Sequence, residues 1–298
     1  MSGFERGLVA SACSVIGASQ AVQLSQYSLE RTRRNGLNGP SLARMDDGSV
    51  VEFIYENAQD SDHVVIFENG LGECLEAWDW VCHVLGDKYG TLRYHRAGYG
   101  RTTATISAPK ILEQLYSNYC AGKSVTIVAH SIGAFFFAQH MAYGGEVSHA
   151  VKKVVLIDTT KFDTFLTERN DLVRSGRFLQ SLVQTGVSTV AGTHAWSTNQ
   201  VDRELDYRPD IRRAVFLFSR SLSTLRNSWR EYRSTVVPDL RTIAAPECHV
   251  LAAEDNVDEQ KGVANDLGAR FDVVAGSAHH SIIGKLECVE EVCRIVWG

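Results

Sequence analysis

From residue 41 onward, short apolar runs alternate with longer stretches of helical spacing, and this alternation constrains the fold more than any other feature of the chain. Ser41–Met45 and 49–58 read as an antiparallel pair around Asp46-Asp47-Gly48. HVVIF (63–67) is an unbroken apolar run, as expected of a strand covered on both faces. Helical spacing follows over 76–89, strand over 91–95, helix over 109–121, strand over 124–130, helix over 132–144 and strand over 151–159. After a long interval the order resumes: strand 247–253, helix 258–268, strand 270–276 and helix 286–297. Strand followed by helix at this regularity predicts an α/β fold with a mostly parallel central sheet flanked by helices.

Between Thr160 and about Pro246 the alternation lapses into helix-like segments, most clearly over 202–232. So long a stretch does not fit a structureless loop inside a compact domain. It predicts an inserted helical cap over 161–235, with the core built from 41–160 and 236–298. Residues 1–40 are expected to be a helical extension. Its run GLVASACSVIGASQAVQL (7–24) has roughly helical apolar spacing, diluted by Ser and Gly; the alternative reading is a weak signal or anchor, which would make the chain secreted or membrane-associated.

Composition narrows the function classes. In 298 residues, 44% hydrophobic content suffices for a full core, and a formal charge of -5 gives no general pull toward nucleic acid or an anionic membrane. The seven cysteines are scattered, without metal-type spacing, which suits reduced thiols in a cytoplasmic protein. No run is apolar and long enough for stable membrane insertion.

Chemistry enters at VAHSIGA (128–134), where a polar pair stands between two apolar runs. Ser131 falls where strand 124–130 gives way to helix 132–144, at the carboxyl end of a parallel strand, where open sheets bind ligands. A serine on so sharp a turn needs small neighbours two residues before and after, here Ala129 and Gly133. The Ile132 N–H at the helix start would then point to a developing oxyanion. The competing reading is a serine capping a helix.

Two more loops sit at neighbouring strand ends: FENGLGECLEAWDWV (67–81), whose Leu71 N–H is the second oxyanion donor, and the glycine-rich YHRAGYGRT (94–102). Taken in order, these motifs make the chain resemble the α/β-hydrolase fold superfamily, in its capped serine hydrolase and esterase-like form. The resemblance spans about 41–298 apart from the cap, with two departures: Asn69 where His is frequent, and His95 where Asp is usual. It implies a Ser-His-Asp triad in the chain order nucleophile, acid, histidine. For the acid it points to Asp255, after strand 247–253, with Asp158 the alternative and Glu254 one residue out of register. For the base it points to His279, with His280 second. His130 is expected to pack at the elbow. No metal or organic cofactor is implied, and a serine at the elbow excludes the aspartate nucleophile of related dehalogenases and epoxide hydrolases.

The resemblance thus implies a carboxylic ester hydrolase acting through an acyl-enzyme on a small-molecule substrate. Amide, peptide or carbon–carbon bond hydrolysis with the same triad, and a non-catalytic ligand-binding role, remain alternatives. The cap carries aromatics that could roof an apolar pocket: Phe162, Phe165, Phe178, Trp196, Phe216, Phe218 and Trp229. It also carries 12 Lys/Arg against 8 Asp/Glu, which would suit a substrate with an anionic group or simply a solvated, ion-paired surface. Asp202, Glu204 and Asp206 are the weak candidates for an amine-binding site. Arg96 and Arg101 are expected to be structural. The oligomeric state is not legible.

Overall fold

In the computed structural model of the chain, the described residues are 17–26, 28–30, 32–33, 39–56, 61–193, 205–237 and 247–297. Eight strands form one sheet: β1 (Ser41–Arg44), β2 (Val50–Glu56), β3 (His63–Glu68), β4 (Gly90–Tyr94), β5 (Ser124–His130), β6 (Val151–Ile157), β7 (Cys248–Ala253) and β8 (Arg270–Val274). Their spatial order is β1-β2-β4-β3-β5-β6-β7-β8. β2 pairs antiparallel with both β1 and β4, and every later pairing is parallel.

The central strands are apolar on both faces because helices cover both. Alternate residues of one strand enter different cores. Val64 and Ile66 pack with Ile127, Leu156 and Val250 against Leu112, Leu115 and Phe137 of helices α2 (Ala108–Tyr119) and α3 (Gly133–Tyr143). Val65 and Phe67 pack with Val128, Val155 and Leu251 against Trp78, Val81, Val289 and Val292, on the side of helices α1 (Asp79–Leu85) and α11 (Leu286–Trp297). The sheet is therefore the middle of three layers, with its carboxyl edge free to carry loops.

The remaining helices are α4 (Glu146–Ala150), α5 (Phe162–Asn170), α6 (Leu172–Ala191), α7 (Pro209–Ser219), α8 (Leu222–Ser234), α9 (Val257–Leu267) and α10 (Ser281–Gly284). Four of them, α5 to α8, form the insertion between β6 and β7. It meets the core through Tyr207, whose hydroxyl donates to the Ala77 carbonyl at 2.8 Å, and through Arg208 to Asp79 at 3.0 Å. Phe218 of α7 stacks on His95 with ring centroids 4.7 Å apart. Residues 17–26 are helical, and the Gln20 side-chain amide donates to the Val190 carbonyl of α6. No described helix is long and apolar enough to cross a membrane.

Three segments depart from the sequence reading. The helix expected over 76–89 is a 3-10 turn (Leu75–Trp78), α1 and a second 3-10 turn (Gly86–Lys88). Trp78, fully buried, is held against Phe67 and donates its indole N–H to Asn69 Oδ1, which fixes the first turn outside a regular helix. The short α4 was not expected. The strand expected to run to residue 159 stops at Ile157, because Asp158 takes φ 41° and turns the chain out of the sheet. Residues 7–16, Trp196, Asp202 and Glu204 lie outside the described residues.

Candidate active site

Among the described residues only two that are not glycine have positive φ: Ser131 at 55° and Asp158 at 41°. This backbone region is costly for a residue with a Cβ, and it persists where the surroundings over-determine it. Both residues sit directly after a central strand, β5 and β6, and both lie at the carboxyl edge of the sheet.

The turn at Ser131 is held from three sides. Its N–H donates to the Ile157 carbonyl at 3.1 Å, and its carbonyl accepts from the Thr160 N–H at 3.2 Å. Gly133 packs so closely on the Glu68 and Asn69 backbone that any Cβ there would overlap the Glu68 carbonyl, so the small residue after the serine is a requirement of helix–strand approach. Ala129 is fully buried in the sheet, where its extra methyl is accommodated. Ile132 is the N-cap of α3, and neither its N–H nor that of Leu71 donates to an acceptor among the described residues. Ser131 is half-buried, and its hydroxyl lies 3.3 Å from the Thr160 hydroxyl.

His279 and the acid come together differently from the sequence expectation. His279 Nδ1 is 2.5 Å from Asp158 Oδ2. Asp255 lies exposed on the 3-10 turn Glu254–Asn256 and makes no hydrogen bond to His279. The expectation that Asp255 would orient the histidine is therefore corrected to Asp158. The physical reason lies in the two strand ends: the positive φ at Asp158 swings its carboxylate toward the histidine loop, whereas β7 runs into a helical turn that faces Asp255 to solvent. What β7 supplies instead is support, since Asp158 Oδ1 accepts from Asn256 Nδ2 at 3.0 Å and from the Ala253 N–H at 3.3 Å. Glu254 is occupied at the surface, accepting the Gly276 N–H. Asp158 is 1% exposed; burial opposes its charge, but the His279, Asn256 and Ala253 hydrogen bonds outweigh that and hold its carboxyl below the usual range.

His279 is close to the elbow. Its ring centroid is 4.7 Å from that of His130, and its carbonyl receives a hydrogen bond from His130 Nε2 at 2.8 Å. No hydrogen bond links His279 to Ser131 Oγ, which is turned to Thr160. Catalytic hydrogen bonds are often open without substrate. His280 is exposed beside it. Packing around its ring and the neighbouring His279 and His130 imidazoles push its pKa down to about 4.

Both departures from the resemblance are structural. Asn69 bridges Trp78 and the Tyr94 carbonyl, and His95 is buried under Phe218. Arg96, 4% exposed, donates to the Asn69 carbonyl at 2.7 Å and pairs with Glu231 of α8 at 2.7 Å, tying the Leu71 loop to the insertion. Arg101 pairs with the buried Glu52 at 2.8 Å. Part of the insertion's basic charge is engaged in the same way: Arg174 on Glu168, Arg208 on Asp79, and Arg169, Arg212 and Arg233 on main-chain carbonyls. Asp206 accepts the Leu286 N–H at the start of α11.

Beside Leu71 a cavity of about 300 Å³ opens between core and insertion, walled by Leu182, Leu205, Val215, Leu225 and Ile283, with His280 and Glu73 among its polar groups. Ser131 and His279 are not in its wall; it adjoins them through Leu71 and His280. Of the aromatics expected to roof it, Phe165 packs on Phe135 and Phe178 on Tyr232; the space is lined mainly by aliphatic side chains, with Tyr207 the insertion's aromatic in its wall.

A sheet in this order, with a serine lifted out of the turn after its fifth strand and a helical insertion after its sixth, is the α/β-hydrolase fold, and the chain has that fold. Solved structures agree. A hydrolase from Pseudomonas aeruginosa is similar at a TM-score of 0.63, with 18% identity over 88% of this chain and 100% of its own. An esterase from Exiguobacterium antarcticum gives 0.62, with 12% identity over 86% and 98%. MenH from S. aureus gives 0.61, with 16% identity over 81% and 96%. No protein-family model and no curated protein matches the sequence.

Proposed function

We propose that the chain is a serine hydrolase that cleaves carboxylic esters of small molecules. The observation that carries this reading is the 2.5 Å contact of His279 Nδ1 with the buried Asp158, at the end of the strand that neighbours the one before a serine held at φ 55°. In this reading Ser131 Oγ attacks the ester carbonyl while His279 Nε2 takes its proton. Asp158 fixes the imidazole tautomer and stabilises the imidazolium. The Leu71 and Ile132 N–H groups bind the tetrahedral oxyanion, each contributing roughly 3 kcal/mol to the barrier reduction. His279 then protonates the departing alkoxide, which leaves as the alcohol, and the acyl group remains on Ser131 Oγ. A water, deprotonated by His279, attacks that acyl group; Ser131 regains its proton and the carboxylic acid leaves.

The insertion acts as a cap, and the aliphatic cavity beside Leu71 receives the apolar part of the substrate. The fold's solved relatives include carboxylesterases and an enol-lactonase, which fits ester chemistry. The test is turnover of short-chain aryl esters by the purified chain. Wild type should release the phenol, and Ser131→Ala should lose that activity while keeping its circular dichroism spectrum. Undiminished turnover in Ser131→Ala would end the proposal.

A further inference from the structure

The two ring nitrogens of His130 face acceptors only. Nδ1 is 2.6 Å from Glu73 Oε1, and Nε2 is 2.8 Å from the His279 carbonyl oxygen. The ring is fully buried. A neutral imidazole has a proton on one nitrogen only. Either Glu73 carries a proton and donates it to Nδ1, or the imidazole carries two and faces a carboxylate. The second Glu73 oxygen favours the imidazolium: Oε2 accepts the Gly70 N–H at 2.6 Å, so both carboxyl oxygens face N–H groups over short distances, as an ionised carboxylate does.

We infer that His130 is a buried imidazolium at neutral pH, paired with Glu73, which clamps the oxyanion loop and the His279 loop to the nucleophile elbow. Glu73 holds Gly70, the residue before the Leu71 donor. His130 directly precedes Ser131 and holds the main chain of His279. Three segments from three strand ends are thereby joined through one ion pair, and the positioning role rests on the hydrolase reading of Ser131, Leu71 and His279.

The charges around the clamp fit this. Glu73 and Asp158 are the anions facing the cluster; His279 lies 4.7 Å and His280 6.4 Å from the His130 ring between centroids, and Trp78 meets it edge-on at 6.5 Å. Burial alone would discharge both partners. Their attraction outweighs it, raising the His130 pKa and bringing that of Glu73 down to about 2. Two carboxylates, Glu73 and Asp158, face the one cation on His130. Proton transfer to His279 brings these charges to balance, so the arrangement favours the imidazolium that ester attack requires.

The direct test is nuclear magnetic resonance of the full chain labelled with ¹⁵N-histidine, with His130 assigned by the signals lost in His130→Gln. Both ring nitrogens of His130 should carry protons at neutral pH and keep them beyond the ordinary histidine range. A single protonated nitrogen at neutral pH would overturn the inference. This readout needs no substrate, so it is independent of whether the chain turns over esters. Positioning is tested by kinetics. Glu73→Gln keeps the shape of the carboxylate but removes its charge, and should lower kcat by about 100-fold with little change in KM, as expected of misplaced reacting groups. It should also move the alkaline fall of kcat to lower pH. A Glu73→Gln enzyme with wild-type kcat and an unmoved alkaline limb would refute the positioning role.

Discussion

β6 and β7 are neighbours in the sheet, and each ends in a run of apolar residues followed by an acid: Leu156-Ile157-Asp158 and Ala252-Ala253-Glu254-Asp255. At the first end the acid is buried, its backbone sits at φ 41°, and all its hydrogen bonds converge on the histidine loop and β7. At the second the acids meet solvent or cap the Gly276 turn, and the inward residue is an amide, Asn256. Burial separates them: Asp158 is buried and bonded to the imidazole, whereas Asp255 faces solvent. The two ends therefore share one task, with the charge on β6 and its support on β7.

The largest effects should follow from treating the two ends alike. Asp158→Asn should lower kcat by about 10⁴-fold, the loss seen when a triad acid no longer fixes the histidine tautomer, whereas Asp255→Asn should leave kcat unchanged. Ester kinetics on the two variants decide this, and the reverse pattern would return the acid to β7. His279→Ala should be as damaging as Asp158→Asn, and His280→Ala far milder, because His280 touches the cavity but not the carboxylate.

Asn256→Ala sharpens the comparison at an intermediate level. Removing one hydrogen bond to a buried charge costs about 1.5–3 kcal/mol, and the Asp158 pKa should rise. A carboxylate whose folded pKa is depressed stabilises the fold above its unfolded pKa, and that stability is lost as pH falls through the folded pKa. Asn256→Ala should therefore unfold at higher pH than wild type in an acid titration followed by tryptophan fluorescence.

The smallest effect is on the alkaline side. His130 has a raised pKa, so its contribution to stability is complete below the unfolded value near 6.5 and fades as pH rises through the folded value. Glu73 works in the opposite direction, contributing above its ordinary carboxylate range and losing that contribution only toward pH 2. Thermal melts should show wild type losing stability from neutral to alkaline pH, with Glu73→Gln showing a weaker dependence over the same interval.

Much of this arrangement is legible in the sequence. The alternation of apolar runs and helical spacing locates every strand of the sheet, and β5 and α11 fall on the expected residues, because continuous apolar strands and a strongly amphipathic terminal helix leave little competing structure. Ser131 at the end of β5 was readable from Ala129 and Gly133, and His279 from its place after Gly276. The side on which Asp158 and Asp255 would face was not, since both follow a strand directly and only the backbone turn separates them. Glu73 was missed for a related reason. It lies three residues after Gly70 in an exposed-looking Gly-Leu-Gly-Glu turn, and nothing local shows that His130, 57 positions away, needs a counter-charge there.

The most direct test of the whole account is covalent. The folded chain, treated with a fluorophosphonate probe and digested, should carry the label on the peptide containing Ser131 at full stoichiometry, and Asp158→Asn should label far more slowly than Asp255→Asn. A folded wild-type chain that takes no label, or takes it on a different serine, would contradict the claim that the hydroxyl at the end of β5 is an activated nucleophile.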